Sequence, residues 1–321
     1  MIALLLFVLI LIYTVVIGFL IYGFTKVNTI EYFRLNPKTK FTIIVPFRNE
    51  NENLPVLLNS LSKLNYPVEL FEFLLVDDES KEEFSVVCSP FPINIVKSNR
   101  ASSSPKKDAI TTAMQYVNSD WVVTTDADCT APENWLLTLD NYIQLHDVSM
   151  IASAVTYNCN NSFLHHFQQL DLASLQGATI GSFGINKGFM CNGANFAYTK
   201  SLFTALNGFD GNDKIASGDD VFLLQKAIAK FPRQVHYLKS KNTIVTTKPM
   251  NDWKSLFYQR VRWASKTSSY HSGFGKALGV VVFSGNLALV ITFLLSLTGY
   301  ITLQYLALQF FLKFIIDSIL I

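Results

Sequence analysis

Between Ile2 and Phe24 the chain carries no charged side chain. Coiled as an α-helix, this run would reach about 34 Å at ~1.5 Å per residue, against a hydrocarbon core of ~30 Å. A helix apolar on every side cannot face water, so it must be buried in protein or lipid. A signal peptide is the alternative. Against it, no Lys or Arg precedes the run, the run is long, and no A-x-A-like site follows, so it reads as an uncleaved anchor. Lys26, Arg34, Lys38 and Lys40 come next, and the positive-inside rule then sets the N-terminus outside and the middle of the chain in the cytosol. The far end repeats the pattern. Ala277 to Leu297 is long enough to span, Thr298-Gly299-Tyr300 suits a tight turn, and Ile301 to Ile321 would return, interrupted by Lys313 and Asp317. Charges at such depth pair, face the protein interior or lie near an interface. The chain stops inside this apolar stretch, which leaves a truncated C-terminus open.

The 321 residues suffice for one or two domains. Half are hydrophobic, and the excess sits at the two ends, leaving an ordinary globular middle. A net charge of +2 gives no global field for nucleic acid. Cys88, Cys129, Cys159 and Cys191 form no CxxC pair. They read as neither a zinc site nor a disulfide framework, and scattered thiols suit a reducing compartment.

In the middle, Thr42 to Pro46 reads as a strand ended by Pro46, and Leu54, Leu57, Leu58, Leu61 and Leu64 recur at helical spacing up to Pro67. Phe71 to Val76 is a second strand and Ile93 to Val96 a third. Lys106 to Tyr116 is a helix and Trp121 to Thr125 the next strand. Such alternation predicts an α/β domain with a mainly parallel central sheet and helices on both faces, binding ligands beyond the carboxyl ends of its strands. Asp77-Asp78 and Asp126-Ala127-Asp128 both fall at such ends. Two carboxylates beside a buried strand must be hydrated, paired or bound to a cation. Mg²⁺ or Mn²⁺ uses one or two carboxylates plus substrate phosphate oxygens, so the pattern points to a metal-dependent enzyme on a phosphorylated substrate. An ordinary acidic loop is the bland alternative.

Further on, Ser162 to Gly181 is helical, with Phe163, Phe167, Leu170 and Leu175 expected to pack on the sheet. Gly193 to Tyr198 is a turn entering a strand. Asp219-Asp220 follows Gly218 at the start of another helix, where a carboxylate often only caps. His165-His166, adjacent on a helix, face different ways and are not read as metal ligands.

The order of these motifs, VDD, a lysine helix, DAD, GAN, GDD and Gln259-Arg260-Val261-Arg262-Trp263, resembles the membrane-bound family 2 glycosyltransferases with their Q-x-x-R-W run. The resemblance covers Phe41 to Trp263 and implies a GT-A-type nucleotide-sugar-binding domain flanked by transmembrane helices. It implies that Asp78 binds the uracil or ribose side of the donor with Asp77 beside it, and that Lys106 contacts the nucleotide or supports nearby carboxylates. Asp126 would meet the ribose or the metal shell, and Asp128 would hold Mg²⁺ or Mn²⁺ on the diphosphate. Gly193, Ala194 and Asn195 would line the donor sugar or the acceptor's approach. Asp220, with Asp219 in place of the commoner glutamate, would be the general base. Gln259, Arg262 and Trp263 would close over diphosphate and acceptor. Pro105 departs from the family, standing where a glycine usually precedes the lysine.

The implied reaction moves a sugar from a nucleoside-diphosphate donor, a UDP-sugar in the first instance, to a lipid, lipid-linked or glycan acceptor. Direct attack by the acceptor hydroxyl inverts the anomeric centre, with a carboxylate taking the proton. Trp253, Phe257, Tyr258 and Trp263, mixed with Lys254, Arg260, Arg262 and Lys266, resemble an interfacial amphipathic segment. The division expected is therefore a membrane helix over 1–25, a cytosolic catalytic domain over 38–250, an interfacial segment over 251–276 and membrane helices over 277–321. This would be an integral membrane protein, of the inner or plasma membrane if bacterial. The competing readings are a non-catalytic nucleotide-sugar-binding scaffold and a nucleotidyltransferase. The latter commonly carries a glycine-rich loop where this chain has Pro46-Phe47-Arg48-Asn49-Glu50.

Overall fold

The computed structural model describes residues 1–31, 35–85, 89–212, 215, 217–265, 269 and 272–321. Arg34, Cys88, Lys266 and His271 lie outside them. In chain order come α1 (Ile2–Lys26), β1 (Phe41–Phe47), α2 (Leu54–Leu61), β2 (Phe71–Asp77), β3 (Ile93–Lys97), α3 (Pro105–Met114) and β4 (Trp121–Thr124). Next are α4 (Trp135–Leu145), β5 (Met150–Ser153), β6 (Val155–Tyr157), α5 (Phe163–Gly184), β7 (Phe196–Thr199), α6 (Lys200–Ala205) and α7 (Asp219–Lys230). Last are β8 (Val235–Leu238), β9 (Val245–Thr247), α8 (Trp253–Ser265), α9 (Gly273–Leu297) and α10 (Leu303–Leu320). The chain divides into a unit of residues 28–169 and 190–266, and a unit of 1–27, 170–189 and 267–321.

The first unit is mixed α/β. Its seven-stranded sheet has the order β3-β2-β1-β4-β7-β5-β8. Every pairing in it is parallel except those of β7, which runs against both β4 and β5. Phe41, Ile43, Val45 and Phe47 alternate onto one face and pack with Leu54, Leu57 and Leu61 of α2 and Trp135, Leu136 and Leu139 of α4. Each such side chain removed from water contributes roughly 1.5–3 kcal/mol. Outside that cluster, α3 lies on β1 and β2 through buried Ala109, Ile110 and Ala113. A short parallel pair, β6 with β9, stands beside the main sheet.

Three local expectations fail for identifiable reasons. Pro46 does not end β1, since it stays in register with Val76 of β2. The pairing of β1 with β4 stops at Ile44, so the missing N–H removes no ladder bond there. The helix α2 stops at Leu61 rather than running on towards Pro67. The Ser60 and Ser62 hydroxyls donate back to the carbonyls of Leu57 and Asn59, and the Asn65 N–H is drawn to the Glu133 carbonyl; hydroxyls of this kind compete with the helical ladder. On α5, Phe163, Phe167 and Leu170 face outward, at 78%, 44% and 55% exposure, instead of packing on the sheet. The inward positions go to His165, held by Asn251, and Gln168, whose amide bonds both backbone groups of Met250.

The second unit is helical. Helices α1, α9 and α10 pack on one another around Leu6, Ile10, Ala288 and Ile301, and these three are long and apolar enough to cross a membrane. The charges of α10 are paired. Lys313 forms an ion pair with Asp317, and the Tyr13 hydroxyl of α1 donates to Asp317 at 2.6 Å. The C-terminal part of α5 joins this unit by backbone contact. A Cβ placed on Gly184 would fall 1.8 Å from the Gly23 carbonyl oxygen of α1, so only glycine allows the approach.

Candidate active site

The strand order places the carboxyl ends of β1 and β4 side by side, while the chain leaves β1 towards β2 and leaves β4 towards the other half of the sheet. A crevice at such a switch point is where open α/β sheets bind ligands. Lys106, Asp126, Asp219 and Asp220 meet there. The Asp78 N–H bonds the Phe47 carbonyl at 2.9 Å, which docks the end of β2 on β1. The Asp78 carboxylate is 6% exposed and is gripped by the Arg100 guanidinium through Nε and through Nη2, the latter at 2.6 Å. Asp77 turns the other way and accepts the Ser80 N–H at 2.9 Å.

One residue past β4, the Thr125 N–H still bonds the Ile44 carbonyl at 3.2 Å, so Asp126 leaves the sheet at the crevice. Its Oδ1 lies 2.5 Å from Lys106 Nζ, which is also 3.5 Å from Asp219 Oδ2. Burial works to lower the Lys106 pKa, but the Asp126 and Asp219 carboxylates outweigh it and hold the ammonium charged well beyond the ordinary lysine range. Pro105, the departure from the family pattern, is the first residue of α3. Its fixed φ suits that position, so it starts the helix that aims Lys106 rather than bending the loop. Asp128 is partly exposed. Burial first, then the charges of Asp126 and Glu50, push its carboxyl above the usual carboxylate range, against a hydrogen bond from the Thr247 side chain.

Because β7 is antiparallel to β4, its leading turn returns to the same crevice. The Thr124 hydroxyl donates to the Gly193 carbonyl at 2.8 Å, and the Gly193 N–H donates to Asp220 Oδ2 at 2.9 Å. A Cβ at Gly193 would press within 3.1 Å of Asp219 Oδ2 and 3.3 Å of Lys106 Nζ. The two acids differ. Asp219 is 8% exposed and paired with Lys106, whereas Asp220 is partly exposed and is also bonded by the Val221 N–H at 2.7 Å. Asn195 points inward. It is 1% exposed, donates to the Ala154 and Thr243 carbonyls and accepts the Trp135 indole N–H at 3.0 Å. Ala194 beside it is 3% exposed. These two hold the turn together, and the Gly193 backbone is the part that meets the acids.

Gln259, Arg262 and Trp263 lie on α8. Gln259 accepts from Arg260 at 2.8 Å, and the Arg260 guanidinium stacks 4.3 Å over the Trp263 ring. Arg262 is exposed, and none of these three side chains bonds Asp78, Asp126, Asp128 or Asp220. Among the described residues no group of three or more His, Cys, Asp or Glu side chains forms a ready-made metal cage. Asp126 and Asp128 with Glu50 nearby instead supply a concentrated negative charge of the kind that suits a hard divalent ion completed by phosphate oxygens.

The profile of glycosyl transferase family 2 matches residues 42–206, just over half of the chain. The chain belongs to this family. It is 26% identical over 243 residues to the probable glycosyltransferase YdaM of Bacillus subtilis (strain 168), across 70% of this chain and 54% of that protein. It therefore spans about half the length of that curated relative. The mannosyltransferase PcManGT from Pyrobaculum calidifontis, solved with GDP-Man and Mn²⁺, superposes with a TM-score of 0.59 over 99% of this chain and 95% of its own, at 15% identity. Residues 1–349 of S. aureus TarS, solved with UDP-GlcNAc, give 0.48 at 16% identity, over 66% of this chain and 59% of that one. At 15% identity the likeness to PcManGT is one of fold alone, the GT-A type.

Three residues of this candidate site escape a reading by sequence. Arg100 sits in a Ser-rich loop with no periodicity, Glu50 in a run of polar loop residues, and Thr247 at the end of a three-residue strand. Only Glu50 carried a signal, a carboxylate just past the first strand end.

Proposed function

We propose that this glycosyltransferase moves a sugar from a nucleoside-diphosphate donor to a lipid, lipid-linked or glycan acceptor with inversion, at the cytosolic face of a membrane. The observation that carries this is the meeting of Asp126, Asp219 and Asp220 around Lys106 and Gly193, at the strand ends that also carry Asp78 and Asp128. The buried Asp78–Arg100 pair would take the base or ribose of the donor, for which a UDP-sugar is the first candidate. Asp128 and Asp126 would hold Mg²⁺ or Mn²⁺. Bound there, the ion would stabilise the charge of the departing diphosphate as a Lewis acid. PcManGT, solved with GDP-Man and Mn²⁺, supports a donor and cofactor of these classes.

The acceptor hydroxyl is a weak nucleophile until a carboxylate within hydrogen-bond reach takes its proton. Asp220 suits that task better than Asp219, because it is the more exposed and Asp219 is engaged by Lys106. The Gly193 N–H and the Val221 N–H fix its orientation. Arg262 would bond the diphosphate, and Trp263 would offer an aromatic face to sugar or headgroup. That role requires Arg262 to find its partner in the substrate. The segment 251–276 would lie at the membrane surface and bring the site to a lipid acceptor.

The test is a screen of UDP- and GDP-sugars with Mg²⁺ or Mn²⁺ against membrane lipid extracts, followed by Asp220→Asn. The variant should lose at least 100-fold in turnover while binding nucleoside diphosphate as before. Normal turnover by Asp220→Asn would move the base to another residue.

A further inference from the structure

We infer that Lys107 is the positioning residue of the acidic pair, holding Asp219 and Asp220 in place from behind; this rests on the reading of Asp220 as the base. Neighbours on a helix point about 100° apart, and α3 uses that divergence. Lys106 reaches the carboxylates, while Lys107 turns into the fold and is 2% exposed. Its Nζ donates to the Asn212 carbonyl at 2.6 Å and to the Ile215 carbonyl at 2.9 Å. It also stands 5.0 Å from the centre of the Phe222 ring.

Those contacts straddle the acids. Asn212 and Ile215 precede Gly218, and Phe222 follows Asp220 by two residues on α7 and is fully buried. A buried ammonium has three N–H donors and no acceptor, so it is stable inside only where acceptors are aimed at it. The Asn212 and Ile215 carbonyls, outside any helix or strand, need donors in turn. Lys107 meets both requirements at once, and the cation also rests against the Phe222 face. Gly218 has a φ of +85°, so the chain makes a left-handed step just before the acids, and the direction in which it enters that step sets where Asp219 and Asp220 point. Since Lys106 touches Asp126 and Asp219, the first turn of α3 joins the metal-side and base-side carboxylates into one rigid piece.

The test compares Lys107→Met, Lys107→Gln and Lys107→Arg in the full-length protein in nanodiscs. Lys107→Met should lower kcat 10- to 100-fold, leave the affinities for UDP or GDP with Mn²⁺ within threefold, and speed amide exchange between Asn207 and Phe222 without changing β1 and β2. Lys107→Arg, which keeps donors for the two carbonyls, should recover most of the turnover. Lys107→Gln carries the measurement if the Met variant does not fold. Wild-type kcat with unchanged exchange, or a kcat loss matched by an equal loss of nucleotide affinity, overturns the assignment. If Asp220→Asn retains turnover while Lys107→Met still loosens Asn207 to Phe222, the base is wrong and the positioning contact stands.

Discussion

Arg100 grips Asp78 with two nitrogens, and the carboxylate is nearly sealed from water. Removing one partner of such a pair leaves a buried charge uncompensated. Arg100→Met should therefore lower stability, and Arg100→Met with Asp78→Asn by clearly less than the two singles added. Chemical denaturation reads both, and additive losses would mean that the pair is not coupled. Asp128 gives a prediction of opposite sign. Its carboxyl pKa is raised in the fold, so the native state holds that proton more tightly than the unfolded chain. Stability from this group then falls as pH climbs from the unfolded value of ~3.9 through the raised one. Asp128→Asn should raise Tm at neutral pH in chelator, and the gain should fade as the pH drops towards about 3.5. A gain that persists unchanged in acid would rule out the charge as its cause. At this scale the acids were legible, because Asp126, Asp128, Asp219 and Asp220 sit where strands end or helices start. Arg100 was not, because an ion pair 22 residues long in sequence leaves no local pattern.

Helix and strand identity followed from periodicity, whereas ends and faces followed from contacts that no pattern displays. The helix α2 ends early because two serines bond backward. On α5 the polar His165 and Gln168 take the inward face from Phe163 and Phe167, because their partners Asn251 and Met250 lie more than 80 residues away. The direction of β7 was equally hidden, since an apolar run does not state which way it pairs. The contact of α1 with α5 gives the prediction that belongs to elements. Gly23 and Gly184 meet through their backbones, as small residues do between membrane helices. Gly184→Leu should force the helices apart and lower Tm in detergent by several degrees, of order 2 kcal/mol, as overpacking does. An equal loss from Gly18→Leu, where the added side chain meets open space, would make the crossing unimportant.

Across the whole chain, the arrangement read from the sequence, a mainly parallel α/β sheet accompanied by long apolar helices, is the one found. What composition conveyed was the contrast between apolar ends and a mixed middle. What it did not convey was that residues 170–189, well inside the middle, associate with the apolar helices. Their glycines and polar residues keep the hydropathy of that stretch unremarked. Lys26 at the end of α1, with Lys38 and Lys40 after it, predicts a cytosolic α/β unit. Reporters fused ahead of Met1 and inserted after Lys241 should read outside and cytosolic respectively, and the reverse pattern would overturn the orientation.

The opposed course of β7 also sets how this protein tolerates change. Thr124 and Phe196 are cross-strand partners, and the Thr124 hydroxyl also donates to the Gly193 carbonyl, fixing the turn that carries the Gly193 N–H. One extra residue between Gly193 and Phe196 would break the spacing from that rung to the turn and swing the Gly193 N–H off its aspartate. The same addition in the exposed stretch around Glu82 would leave that rung untouched. A library of single-codon insertions should thus show a silent gap of only a few positions here, far narrower than the domain around it.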